Sequence, residues 1–585
     1  MLKKLSELLP FIECTIVAAD CHTHVPDTTV GDITVTDLFF DSREVTRGSL
    51  FFALPGTHSD GNEFIPEAID NGAHVIVFQG VPDISIQTKV AMLMARRALE
   101  ASIDPDADPV LPVFLHVKDA RFAMAPLSDA FYDHPSKKLA VIGVTGTEGK
   151  SSTVSFIWQL LRKAGKKAGF ISTVQYSLGE EAIANPQHQT TPEAPIIQHH
   201  LYEMLQNGCE YAVIESSSHG LSKKLNRLGN VLFDCGVFMN VTLEHLEFHK
   251  TFEQYRDDKA NLFRALDEHD HIKCINGTER KIPALGVVNL EDPSATYFMD
   301  CTKQPVYGYT TEGQAGKAAA ETGANAMPLP KIPDNMRYMI ARNIASARFG
   351  LSFSIDTDGS SASFPEHFDP VLPREHKLLH CNAQTPGAFN AYNIMAALIA
   401  VSGVSGLPFE TLVQHVAELT PITGRMTVID KGQPFEVIVD YAHTPSSFET
   451  IFPPIRKRCY GRLFAVFGSG GERDLKKRPL QGAIAAKFCD IIILADEDPR
   501  GEDPVKLLQM IAEGAEKEGK IRGTDLFIIH DRPEAIRQTF SMAQKGDIVL
   551  LLGKSHENSI IYKDHIMPYD EIKEAETALR ELGWK

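Results

Sequence analysis

A lysine followed by two serines closes a small-residue turn, Gly146-Thr147-Glu148-Gly149-Lys150-Ser151-Ser152. The apolar run "KLAVIGVTG" leads into it and "STVSFIWQLLRKAG" leads out. Glycines let backbone N–H groups turn inward, and a helix starting near Ser151 points its positive end at an anion. Lys150 would meet the outer phosphates of a nucleotide, and Ser151 would hold Mg²⁺. The generic phosphate loop has glycine six residues before the lysine, where this chain has Val144. An ordinary glycine-rich turn is the alternative. Strand before, helix after and Lys-Ser in register favour nucleotide binding.

A second lysine stands where an apolar residue belongs. In "TFEQYRDDKANLFRAL" (251–266), Phe252, Tyr255, Leu262 and Leu266 share one helical stripe, and Lys259 falls within it. Two readings are open. The side chain snorkels, keeping its amine in water. Or it is buried, which disfavours the ammonium and leaves a neutral amine able to add CO₂. The resulting carbamate is an anionic oxygen ligand. Glu215 ends the apolar run "YAVIE", and His245 follows the strand pattern "VFMN". With Ser151 and a carbamylated Lys259 they would form a hard-cation cluster suited to Mg²⁺. Taken singly, Glu215 could accept at a helix N-cap and His245 could be a surface histidine.

These residues need strands and helices to position them. The spacing predicts three α/β domains: 1–137, 138–423 and 424–585. In the first, "SLFFAL" reads as a strand, 63–72 and 119–132 as helices, and "DHPSKK" (133–138) as a linker. In the second, Val154, Ile157, Leu160 and Leu161 form one helical face closed by Gly165, and 210–215 and 233–242 read as strands. The stretch 310–385 is less regular, with "GQAGKAAAETGANA" a loop. In the third, strands at 435–440, 462–467, 490–496, 525–531 and 547–553 alternate with helical segments, the mark of a doubly wound, largely parallel sheet.

Composition narrows the class. The chain has 585 residues, 43% hydrophobic and 23% charged, and a net charge of −18. Such a field disfavours a nucleic-acid groove, so phosphates must be held by local cations and backbone amides. Nine cysteines without CxxC spacing indicate neither a zinc site nor a disulfide framework, and point to a reducing, cytoplasmic setting. No apolar run approaches a membrane span, and the first residues read as a short amphipathic helix.

The ordered set "GTEGKSS", "TTPEA", "ESSSHGL", "NVTLEHLEFH", "YRDDKANLF", "GAFNAYN", "GRM", "VDYAHTPSSFE", "GSGGERDLKKRP", "DEDPRGEDP" and "GKSHEN" resembles the Mur ligases, nearest to those that add the third residue of the peptidoglycan stem peptide. The likeness runs from about residue 35 almost to the last residue, with 310–385 poorly covered. It implies an N-terminal mixed α/β UDP-binding domain, a central P-loop-type ATPase domain with a largely parallel sheet, and a Rossmann-like doubly wound C-terminal domain. It implies a monomer that uses ATP and Mg²⁺ to join a diamino acid to UDP-MurNAc-L-Ala-D-Glu through an acyl phosphate. It also implies roles for particular residues. Lys259 would be the carbamate, and Lys150, Glu215 and His245 would share the catalytic work with it. Gly146, Thr147, Gly149, Lys150, Ser151, Ser152, Asn390, Asn393, Arg425 and Asp440 would hold ATP. Asn390 and Asn393 could otherwise cap a helix. Ser42 in "DSR" would contact the UDP moiety, unless that motif is a plain turn. Thr190, Thr191, Ser218 and Arg227 would hold the muramoyl-dipeptide. Tyr441 and His443 would flank the nucleotide site. The third domain would close over the nucleotide, bringing Arg425 and Asp440 to it.

Choice of the third residue would rest on Arg473, Glu497, Asp498, Arg500, Gly553 and Glu557. Family members that take meso-diaminopimelate have Asp-Asn-Pro-Arg where this chain has Glu497-Asp498-Pro499-Arg500. The extra anion at Asp498 would favour a cationic side chain, as in lysine or ornithine, whereas Arg500 suits a carboxylate. Ser555 and Glu244 also depart from the family's usual glycine and aspartate. "GSGGER" lacks the last glycine of a dinucleotide fingerprint, since Arg473 stands there. Two other functions compete. Folylpolyglutamate synthases share the ligase core but lack the "DSR…LFFALPG" unit. A non-catalytic nucleotide-binding relative would have lost a metal ligand or the phosphate lysine, and this chain has them all.

Overall fold

The computed structural model describes residues 1–585 except 19–22, 24, 26–32, 57–59, 104–110, 187–188, 243, 245, 313–335 and 358–376. Its three large sheets have five, eleven and six strands. The first has the order Cys14–Val17, Val113–Val117, Val75–Phe78, Leu50–Phe52 and Leu38–Phe39, parallel except for the edge strand Cys14–Val17. The expected strand is Leu50–Phe52, and the expected helices are Ile65–Asp70 and Ala120–Phe131. Asp119 caps the second, its carboxylate accepting from Phe122 N.

The predicted linker is anchored at its middle, where Pro135 and Ser136 are buried. Pro135 and Ser136 form a 3₁₀ turn after a left-handed His134. The Lys273 ammonium donates to Ser136 O and Leu232 O, both at 2.8 Å, and lies 3.1 Å from Asp234 Oδ2.

The eleven-stranded sheet runs parallel from Ala168–Ile171 through Tyr211–Glu215, Ala140–Thr145, Cys235–Phe238, Leu285–Asn289 and Val306–Thr311 to Arg337–Ala347. From Ala140–Thr145 the chain first builds strands on one side and then crosses to Cys235–Phe238 on the other. That reversal makes the carboxyl end of Ala140–Thr145 a topological switch point, where open α/β sheets place ligands. Helix Lys150–Lys163 starts there. Its expected stripe of Val154, Ile157, Leu160 and Leu161 is fully buried, and Gly165 turns the chain at φ +78°. Helix Asn390–Ser405, buried on almost every side, packs against it and the sheet.

Residues 310–385 are more regular than their sequence suggests. Arg337–Ala347, Gly350–Asp356 and Leu378–Ala383 extend the sheet, the last two antiparallel. Arg337–Ala347 in its second half and Leu378–Ala383 throughout interleave exposed positions with more buried ones, so they lack the continuous apolar runs of the parallel strands. The expected loop "GQAGKAAAETGANA" lies outside the described residues.

The third sheet has the order Thr427–Ile429, Glu436–Asp440, Ile548–Leu552, Leu463–Phe467, Ile491–Leu494 and Leu526–Ile528. Its five expected strands all form and run parallel. Thr427–Ile429, which the apolar pattern did not mark, adds an antiparallel edge. The first residues form a helix, Leu5–Leu8, with Leu5 and Leu8 buried. Among the described residues no helix is long and apolar enough to cross a membrane, and no cysteine forms a disulfide.

Candidate active site

The turn at 146–152 is a built loop. Gly149 has φ +81°, and a Cβ there would come within 2.7 Å of Asn393 Oδ1. Glycine is therefore required both by conformation and by the close approach of helix Asn390–Ser405. Asn240 Oδ1 accepts from Thr147 N and Glu148 N at 3.1 and 2.8 Å. Lys150 Nζ donates to Thr147 O at 2.7 Å, folded back over the loop it would share with a phosphate.

Below the loop, Ser151 Oγ donates to Glu215 Oε2 at 2.9 Å. The Glu215 carboxylate also accepts from Thr173 N at 2.9 Å and Thr173 Oγ1 at 3.0 Å. Its position follows from the strand Tyr211–Glu215, whose last residue points into the switch-point crevice. Thr191 Oγ1 donates to the Glu215 carbonyl and accepts from Ser217 N, fixing the chain that leaves this strand.

Lys259 does not snorkel. It is 1% exposed, and its Nζ donates to Gly146 O at 2.7 Å. The Tyr255 ring lies beneath, 4.5 Å from the nitrogen. Burial pushes its pKa well below the usual lysine value, Lys150 adds to the fall, and Glu244 and Glu215 oppose it. Burial of this kind favours the neutral amine over the ammonium, and the neutral amine is the form that takes up CO₂.

The third sheet's loops reach this site. Arg425 stacks 4.6 Å over the Tyr441 ring and places Nη2 3.4 Å from Ser151 Oγ. The carboxylate of Asp440 accepts from Met426 N and Ala442 N, both at 2.8 Å, and burial raises its pKa. Glu148 ties the phosphate loop to helix Pro445–Arg458, its Oε1 accepting from Thr444 Oγ1 at 3.1 Å and Ser446 Oγ at 2.8 Å. Burial raises the Glu148 pKa. Burial alone would lower that of His443, but Glu244, 3.7 Å away, raises it.

A cavity of about 480 Å³ opens between these elements. Thr147, Gly149, Lys150, Ser151, Ser152, Thr190, Glu215, Asn393, Arg425 and Asp440 line it, with Tyr441 and His443. Gly146 and Lys259, joined by their hydrogen bond, are not among the lining residues. Asn390 turns away, donating to Thr385 Oγ1 and Pro386 O and accepting from Asn393 Nδ2. His245 lies outside the described residues. The sequence reading missed Asn240, Glu291 and Tyr392 in the lining. Tyr392 OH donates to Glu291 Oε2 at 2.8 Å, and Tyr392 lies within the quoted motif "GAFNAYN".

The substrate candidates divide. Ser42 is buried in the first unit, its hydroxyl donating to Glu67. Arg227 donates to Thr191 O at 3.0 Å and Glu193 Oε1 at 2.9 Å, and Ser218 lies 3.0 Å from His249 Nε2. In the third unit, Glu497 is half-buried, desolvation of its carboxylate raises its pKa, and Gly553 faces it. A Cβ at 553 would sit 2.7 Å from Glu497 Oε2. Asp498 is not a free anion. Its Oδ1 accepts from Lys554 Nζ at 2.8 Å and Ile561 N at 3.0 Å. Lys554 also donates to Glu557, and Tyr441 OH donates to that carboxylate at 3.2 Å. Arg500 is half-buried in a left-handed conformation at φ +54°, and Arg473 is exposed. Ser555 donates to Gly424 O, pinning "GKSHEN" to the start of the third unit.

Asp234, His269 and His271 cluster closely enough to suggest a metal site. Their atoms are otherwise engaged: His271 bridges Asp234 Oδ1 and Leu266 O, His269 Nε2 meets Phe233 O, and Lys273 holds Asp234. A buried ammonium there opposes a second cation. The oxygen donors at Ser151 and Glu215 suit a hard cation better.

Comparison with known proteins agrees along the chain. Residues 34–132 match the Mur ligase family, catalytic domain; 144–401 match the Mur ligase middle domain; 424–555 match the Mur ligase, glutamate ligase domain. The UDP-N-acetylmuramyl-tripeptide synthetase of Treponema denticola is 49% identical over 545 residues, covering 93% of this chain and 90% of the relative. That of Treponema pallidum is 45% identical, covering 97% of each. A solved UDP-N-acetylmuramoyl-L-alanyl-D-glutamate–2,6-diaminopimelate ligase shares the fold, with a TM-score of 0.55 and 23% identity over 98% of this chain and 100% of that one. With relatives this similar over nearly its whole length, the chain belongs to the Mur ligase family.

Proposed function

We propose that this protein is an ATP-dependent amide ligase that joins a diamino acid to the D-Glu carboxylate of UDP-MurNAc-L-Ala-D-Glu, a step in building peptidoglycan precursors for the cell wall. The observation that carries the reading is the set Lys150, Ser151, Glu215 and buried Lys259 at one switch point, with Arg425 reaching it from the third unit. Lys150 and the loop's N–H groups bind the γ-phosphate, while Asn393 and Asp440 flank the nucleotide. Gly146, Thr147 and Ser152 complete the loop, and Asn390 supports Asn393. Thr190, Thr191, Ser218 and Arg227 hold the muramoyl-dipeptide, and Ser42 lies on the unit that binds UDP.

The chemistry has two steps. A carboxylate oxygen of D-Glu attacks the γ-phosphorus, and ADP leaves. The amine of the diamino acid then attacks the acyl carbon, and the tetrahedral intermediate collapses to the amide as phosphate departs and the nitrogen loses its proton. Two anions must approach in the first step, and Lys150 and Arg425 offset their repulsion. Ser151, Glu215, His245 and Lys259 as its carbamate would hold Mg²⁺, which supplies further positive charge to the transferring phosphoryl group.

The diamino acid is meso-diaminopimelate, L-lysine or L-ornithine. Selection centres on Arg500, Glu497, Gly553, Glu557 and Arg473, because the Asp498 charge is already met by Lys554. The protein works as a cytoplasmic monomer, without nucleic acid or membrane. A coupled assay of ADP release tests the reading: release should require both the UDP-linked dipeptide and a diamino acid. Nucleotide hydrolysis indifferent to both would contradict it.

A further inference from the structure

Ser218, His249 and Asp258 form a buried chain that joins two sides of the site. Ser218 opens the turn after strand Tyr211–Glu215, His249 ends helix Leu246–His249, and Asp258 lies on helix Phe252–Arg264. They are 2%, 3% and 5% exposed. His249 Nδ1 is 2.7 Å from Asp258 Oδ2, and Nε2 is 3.0 Å from Ser218 Oγ. Gln254 Nε2 donates to the second Asp258 oxygen at 3.2 Å, and Tyr255 packs 5.1 Å from the imidazole.

A carboxylate can only accept, so Nδ1 carries the proton shared with Asp258, and in that tautomer Nε2 is the ring's acceptor. The single hydrogen of the Ser218 hydroxyl is then spent on His249. Its oxygen offers only lone pairs to a ligand. Asp258 is also the residue before Lys259, so one helix fixes both this hydroxyl and the amine behind the phosphate loop.

We infer that His249 and Asp258 are positioning residues that hold Ser218 as a hydrogen-bond acceptor for an amide N–H of the dipeptide arm, in register with the Lys259 site. The inference rests on the proposed substrate. Its test measures binding of UDP-MurNAc-L-Ala-D-Glu by calorimetry and the separate KM values for that substrate and ATP, in the full-length protein. Ser218→Ala and His249→Phe should each raise the Kd for the UDP-linked dipeptide about tenfold, the size of one lost hydrogen bond. The ATP KM should not move. The double variant should be no worse than either single one, because both remove the same bond. His249→Gln should recover most of the affinity, its amide accepting from Ser218 and donating to Asp258. Additive losses, an equal rise in the ATP KM, or no recovery with glutamine would overturn the inference. Should His249→Phe fail to fold, Ser218→Ala against His249→Gln still decides it. Wild-type protein that does not bind the UDP-linked dipeptide would instead sink the proposed substrate.

Discussion

Glu215→Gln separates chemistry from folding. The carboxylate accepts three hydrogen bonds, from Ser151 Oγ, Thr173 N and Thr173 Oγ1. The first two share Oε2. A glutamine oxygen in that place keeps both, and its NH₂ donates to Thr173 Oγ1 once that hydroxyl rotates. No buried polar group is orphaned, so stability should change by no more than about 1 kcal/mol. The charge is lost. At roughly 4 Å and an effective dielectric near 20, a unit charge interacts with a unit countercharge by about 4 kcal/mol. If that attraction is felt in the transition state, kcat falls by about a thousandfold. ADP release under saturating substrates and a thermal melt measure the two effects on one sample. A fall in kcat of less than tenfold would refute the electrostatic role. A loss of more than about 3 kcal/mol of stability would show that Glu215 is a folding residue instead.

Arg425→Ala should lower kcat/KM for ATP by about a hundredfold, and Arg425→Lys should not restore it, because the planar fork both stacks on Tyr441 and reaches Ser151. Steady-state kinetics decide, and a lysine variant equal to wild type would count against the stacked geometry. Burial, helped by His199, pushes the His200 pKa down to about 4. Its unfolded form takes up a proton below about 6.5 and the folded form does not, so stability is full above that pH and falls as pH drops towards 4. Between pH 7 and pH 5, His200→Gln should lose about 2 kcal/mol less than wild type in chemical denaturation, and parallel losses would contradict this. Asp498→Asn should leave the ranking of lysine, ornithine and meso-diaminopimelate unchanged in a product assay, because that carboxylate is already engaged by Lys554 and Ile561 N. A switch towards meso-diaminopimelate would revive a direct role for the charge.

The sequence was legible where one period or one local motif carried the signal. The stripe at 252–266 exposed Lys259 as an anomaly, and the continuous apolar runs of the third sheet marked its parallel strands. The phosphate loop was local too, with glycine and lysine side by side. What was hidden depends on distance along the chain. Glu148 meets Thr444 across 296 positions, and Asp498 meets Lys554 across 56, so neither partner is visible from the other. The Asp498 pairing reverses the simplest reading of its charge. The strands after residue 337 were obscured because half their side chains face outward, which dilutes the apolar pattern. A polar support such as Glu291 looks like an ordinary loop residue until the sheet brings it to the site.

The chemistry of Lys259 is central to the proposed reaction. Carbon-13 NMR of the protein equilibrated with ¹³C-bicarbonate tests it directly. One carbamate resonance should appear, vanish in Lys259→Met, and disappear together with turnover when CO₂ is removed. A fully active protein that shows no such resonance would contradict it.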